Sequence, residues 1–139
     1  MSTPGRLALI YPMAAHFVWT MMLYVALTVA RLPSVWGIGK DSQGNNPWAV
    51  YEKRISANLS NQFEWPLFFY VIALVAMFTP NLNLSYVSIA AWVFIAGRIV
   101  HSGVQIFTAN IRLRGLVFMI NFLAVVAMWA EVLVGIGNR

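Results

Sequence analysis

The chain has 139 residues, of which 60% are hydrophobic and 9% charged, with nine Lys and Arg against four Asp and Glu. A soluble domain carries about 25% charged and about 45–50% apolar residues, and so few charges cannot cover the surface of a soluble chain this long. Composition therefore excludes a soluble domain and points to an integral membrane protein.

A spanning helix needs about 20 mostly apolar residues, and four stretches qualify, at about 7–30, 47–79, 84–108 and 114–134. Together they predict an all-α, up-down four-helix bundle, a single transmembrane domain over residues 1–139. The first stretch is too long for a cleaved leader, and Arg31 follows it rather than a small-residue cleavage site. Asn46 before Pro47 suits an N-cap with proline in the first turn. The second helix would then be about 50 Å long against a core of about 30 Å, so its first turns project as a solvated extension. Pro66 frees the Gln62 carbonyl and predicts a kink. Gly135 and Gly137 supply a stop for the last helix.

Basic residues set the orientation. The connections after the first and third helices, with the helix ends beside them, hold Arg31, Lys40, Lys53, Arg54, Arg112 and Arg114. The opposite side holds Arg6 and Arg139. This asymmetry predicts a multi-pass protein with both termini on the non-cytosolic side, in the cell inner membrane for a bacterial chain. The net charge of +5 does not signal nucleic acid, because the bases are scattered beside apolar runs instead of forming a solvated stripe. The lack of Cys excludes disulfides, a thiolate nucleophile and Cys-ligated metal.

Ionisable groups inside a span are costly and mark candidate sites. Arg54, Asn58, Asn61 and Glu64 follow one another by four, three and three residues, which places them on one helical face. Arg98, His101, Ser102 and Gln105 share a face of the third helix in the same way. Counted inward from the outer ends, Glu64 lies roughly 22 Å deep, Arg98 about 21 Å and His101 about 26 Å. Two helices therefore present polar faces at one level, capped by Arg54 and Arg114 from the water side. The result is a polar, net-cationic pocket, in which Glu64 and Arg98 are expected to pair. His16 is expected to pack with Thr20 and Tyr24, and Glu131 to play a structural role. His16 and His101 differ in depth by about 13 Å, which argues against an axial pair on one haem. The seven methionines are scattered and suggest no metal.

Arg54…Asn61-Gln62-Phe63-Glu64 followed by Pro66-Leu67-Phe68-Phe69, then Arg98-Ile99-Val100-His101 and Arg114, resemble the MAPEG family, membrane-associated proteins in eicosanoid and glutathione metabolism, in the manner of its microsomal glutathione transferases. The likeness spans nearly the whole chain. It implies a homotrimer, with glutathione bound between neighbouring subunits near the cytosolic face and no metal. Asn61, Glu64, Arg98, His101 and Gln105 look like the glutathione-binding set, with Arg54 and Arg31 as outer contributors. Arg114 falls where family members place the arginine that stabilises the thiolate. The implied activity is a glutathione-dependent transferase or peroxidase that detoxifies lipophilic electrophiles reaching it through membrane lipid. Ala57 and Ser60 stand where relatives often carry Arg; Gln105 and Phe118 replace common tyrosines, and Gly115 a Ser found in some members. A small four-span transporter titrating Glu64, or an inactive ligand-binding relative, are the alternatives.

Overall fold

The structure, a computed structural model, describes residues 4–138. Those residues form six helices and no strand: α1 (Pro4–Leu7), α2 (Ile10–Trp36), α3 (Ala49–Asn61), α4 (Pro66–Phe78), α5 (Leu84–Phe107) and α6 (Ile111–Gly137). Four stretches are long and apolar enough to cross a membrane: Gly5–Trp36, Ala49–Phe78, Leu84–Phe107 and Ile111–Gly137. The chain is a multi-pass, all-helical membrane protein. Arg139, counted above with Arg6, lies outside the described residues.

Helix boundaries follow local chemistry. The first span runs past Ala30 to Trp36, because Pro33 sits in the last turns, where a lost hydrogen bond is cheap, and Gly37 at φ 71° closes the helix. Asn46 and Pro47 precede the second span instead of capping it. The Asn46 Oδ1 accepts from the Trp48 N–H at 2.8 Å, and its Nδ2 donates to the Ala30 carbonyl at 2.9 Å, tying the connection back to α2. Asn83 and Asn110 cap α5 and α6, accepting from the N–H groups of Tyr86 and Leu113. The last span begins at Ile111, so Arg114 lies in its first turn, and it continues through Gly135 to Gly137. Glu131 accepts from the Asn83 N–H at 2.9 Å and so holds the Thr79–Asn83 turn against α6.

The second span differs most from the single kinked helix expected. Residues 62–65 form a full break between α3 and α4. Pro66 has no N–H and its ring crowds the residue four back, so the ladder cannot pass. Tighter bonds replace it, from Gln62 N to Leu59 O and from Leu67 N to Glu64 O. The break leaves terminal carbonyls of α3 without helical partners.

The buried side chains are layered. A large apolar cluster near the Thr79–Asn83 end joins Phe69, Ile72, Val87, Phe94, Val125 and Met128. A smaller one at the other end joins Leu23, Leu27, Ile55, Leu59 and Ile106. Between them lie His16, Thr20, Asn58, Gln62, Arg98, His101, Ser102 and Asn121, all buried. The polar layer is the feature that positions the site.

Candidate functional site

Six of the eight residues singled out in sequence line one cavity of about 800 Å³ between α3, α4, α5 and α6: Asn61, Glu64, Arg98, His101, Gln105 and Arg114. Trp65, Phe68, Ile111 and Phe118 complete its apolar walls. Trp65 is fixed by stacking on Phe122 at 4.9 Å and by an Nε1–H bond to the Asn121 carbonyl. His101 packs edge-on against Phe118, and its Nδ1 is buried with no partner among the described residues. Gly115 lines the cavity without a side chain.

Arg98 dominates the electrostatics. It projects from α5 about 21 Å from the Leu84 end and is 1% exposed. Its Nε donates to Gln62 Oε1 and its Nη2 to the Asn61 carbonyl, both at 3.2 Å. The Asn61 carbonyl is available because α3 ends there. The expected Glu64–Arg98 ion pair does not form. Among the described residues the sole ion pair is Arg31 to Glu52, at 3.2 Å. The turn at 62–65 resets the helical phase, so Glu64 faces the cavity unpaired while Asn58 and Asn61 both donate to Gln105 Oε1.

Arg54 and Arg31 stand apart. Arg54 donates to the Ile106 carbonyl at 3.1 Å, closing the end of α5, and lines a neighbouring space of about 280 Å³ with Lys53 and Arg114. Arg31 does not reach either cavity; it bonds Glu52, which also accepts from Ser34.

Gln62, His16 and Tyr70 form a hub that the polar-face spacing did not reveal. Gln62 Oε1 accepts from Arg98 and faces His16 Nε2 at 3.0 Å, while its Nε2 donates to Asn58 and Ser102. Tyr70 lies 2.8 Å from His16 Nδ1. His16 therefore bonds α4 and the α3–α4 break, and of the two residues expected to pack with it Thr20 donates to its carbonyl at 2.9 Å. The Asn58–Gln62 spacing of four residues was the available sequence signal. Among the described residues no group of three or more His, Asp or Glu is placed to hold a metal.

The fold and the cavity define a four-span membrane protein whose helices enclose a polar, net-cationic chamber. A family model matches residues 9–134 to the MAPEG family, and the chain belongs to it. Membership puts it among the membrane proteins of eicosanoid and glutathione metabolism. No curated protein and no solved structure matches the chain.

Proposed function

We propose that the chain is a membrane glutathione transferase or peroxidase acting on lipophilic electrophiles. The observation that carries this reading is the convergence of Asn61, Glu64, Arg98, His101, Gln105 and Arg114 on one cavity. Glutathione has two carboxylates and one ammonium group. Arginine answers carboxylates with charge-assisted, often bidentate bonds, and the unpaired Glu64 answers the ammonium. Arg114 at the rim stabilises the thiolate, since a cation beside sulfur favours the charged form. Trp65, Phe68 and Phe118 offer an apolar wall to a co-substrate arriving from the bilayer.

In this reading the basic end faces the cytosol, with both termini on the far side. The active form is a homotrimer in which Arg31 and Arg54, outside the cavity of one chain, contribute at its rim. Isothermal titration of the detergent-solubilised protein with glutathione tests the reading; no heat at millimolar ligand overturns it. A ligand-binding relative without turnover is the second reading. It is favoured by Gly115 and Phe118, which offer the cavity no hydroxyl. Glutathione binding without conjugation of any lipophilic electrophile would select it.

A further inference from the structure

Gln62 and His16 do something for the cavity without lining it. Arg98 is buried, yet its acceptors are all neutral: the Gln62 side-chain oxygen and the Asn61 carbonyl. A guanidinium has five N–H donors, so two bonds leave three, and Arg98 is among the residues that line the cavity. A buried cation ordinarily carries a carboxylate partner, and among the described residues Arg98 has none within ion-pair distance.

The network fixes this arrangement from behind. Arg98 can only donate, so the Gln62 amide must turn its oxygen toward Arg98. That oxygen also faces His16 Nε2, which must therefore carry a proton. Nδ1 then lies 2.8 Å from the Tyr70 hydroxyl, which is also 3.3 Å from the Met13 carbonyl; the hydroxyl's single proton serves the shorter contact, so Nδ1 accepts. On the other side the Gln62 amide nitrogen is held by Asn58 and Ser102, and Ser102 is itself held by the Trp19 indole N–H at 3.1 Å. Every polar atom of Gln62 is engaged, so the amide cannot turn over.

We propose that Gln62, locked by His16 and Tyr70, is a specificity-determining residue that orients Arg98 with a dipole and leaves no carboxylate in contact with it, so that an anionic ligand can take that place. A glutamate there would hold the guanidinium with its own charge, at the loss of the N–H bonds to Asn58 and Ser102. Gln62 thereby selects for anions, and His16 is a positioning residue that acts through it. In the glutathione case this rests on the function proposed above, where the anion is a carboxylate of the tripeptide.

The test uses the full-length protein in detergent, read by calorimetric titration with glutathione and by thermal unfolding with and without sodium sulfate. Gln62→Glu should bind glutathione at least roughly tenfold more weakly, because its carboxylate takes the Arg98 contact, while its unfolding temperature falls modestly with the loss of the amide N–H bonds to Asn58 and Ser102. Sulfate should raise the unfolding temperature of wild type more than that of the variant, since its general stabilising effect is common to both. His16→Leu should weaken binding severalfold, and His16→Gln, which keeps a donor for Gln62, should restore it. The His16 pair carries the test if Gln62→Glu does not fold. Affinity within twofold of wild type in Gln62→Glu, or a His16→Gln variant that binds no better than His16→Leu, overturns the proposal. If wild type ignores glutathione but shows the sulfate difference, the glutathione reading falls and anion selection stands. If sulfate also fails to distinguish the two proteins, the proposal falls as well.

Discussion

Replacing Arg98 by Met separates a cation kept for a ligand from one kept to hold the fold. The variant loses the bonds to Gln62 Oε1 and the Asn61 carbonyl. Bonds to a charged group contribute about 1.5–3 kcal/mol each, so the two together are about 3–6 kcal/mol. Against this, an arginine at mid-span costs about 2.5–3.5 kcal/mol, and Met removes that cost while filling similar space. The net loss is therefore between about −0.5 and 3.5 kcal/mol, and the variant should fold, with its unfolding temperature lowered by no more than about 14 °C. Binding behaves differently. An anion 4 Å from a cation gains about 4 kcal/mol at an effective dielectric of 20, and even half of that is roughly a thirtyfold loss of affinity. Calorimetry with glutathione and thermal unfolding in the same detergent measure both quantities. A variant that binds like wild type, or one that unfolds altogether, refutes the reasoning; the second outcome would make Arg98 a staple for the broken helix.

Other substitutions probe the packing and the chemistry. Arg114→Ala should slow conjugation more than it weakens glutathione binding and move the rate–pH profile upward, toward a free thiol value of about 8.5. An unchanged profile would leave Arg114 as an interfacial anchor. Gly97→Ala should destabilise the protein by about 1–2 kcal/mol, since a Cβ there collides with the Asn121 amide oxygen and outweighs the gain of about 1 kcal/mol in helix propensity. Gly103→Ala, with nothing within 4 Å of the added methyl, should instead be neutral or stabilising, and paired unfolding curves check both. Asn121→Leu should stabilise by about 1–3 kcal/mol, because both side-chain polar atoms of Asn121 are buried without partners among the described residues. Arg31→Ala should change stability by less than about 1 kcal/mol, since the Arg31 side chain is 45% exposed and its bridge to Glu52 is screened.

What the sequence revealed depended on the range of the interactions. Four spans follow from runs of apolar residues, and hydropathy needs no tertiary partner to be read. Both polar faces were also legible, because i, i+3 and i+4 spacing is a local property of a helix. The Glu64–Arg98 pairing failed at the point where that locality ended. It assumed one continuous helix from Asn58 to Glu64, whereas Pro66 replaces the ladder with a turn just before Glu64. Pro66 was visible, but proline alone does not distinguish a kink from a break. The His16–Gln62 and His16–Tyr70 bonds span 46 and 54 residues, and nothing near His16 marks its partners.

The order of residues along the chain bears on how Arg98 enters the bilayer at all. Synthesis runs from the N-terminus, so α2, α3 and α4 leave the ribosome before α5. The acceptors from Asn61 and Gln62, and the His16 that braces them, are therefore already in the membrane when the translocon releases the arginine. A guanidinium alone on an inserting helix would have to drag water with it or snorkel to the surface. Here it meets a prepared docking point on an earlier segment. Only three residues separate α5 from α6, so the two can insert as one hairpin, with the purely apolar stretches of α6 helping to carry the polar helix across. A circular permutation that moved α5 and α6 ahead of α2 would keep every contact of the folded protein but reverse this sequence of events. Its failure would appear as poor membrane integration, not as a weaker fold.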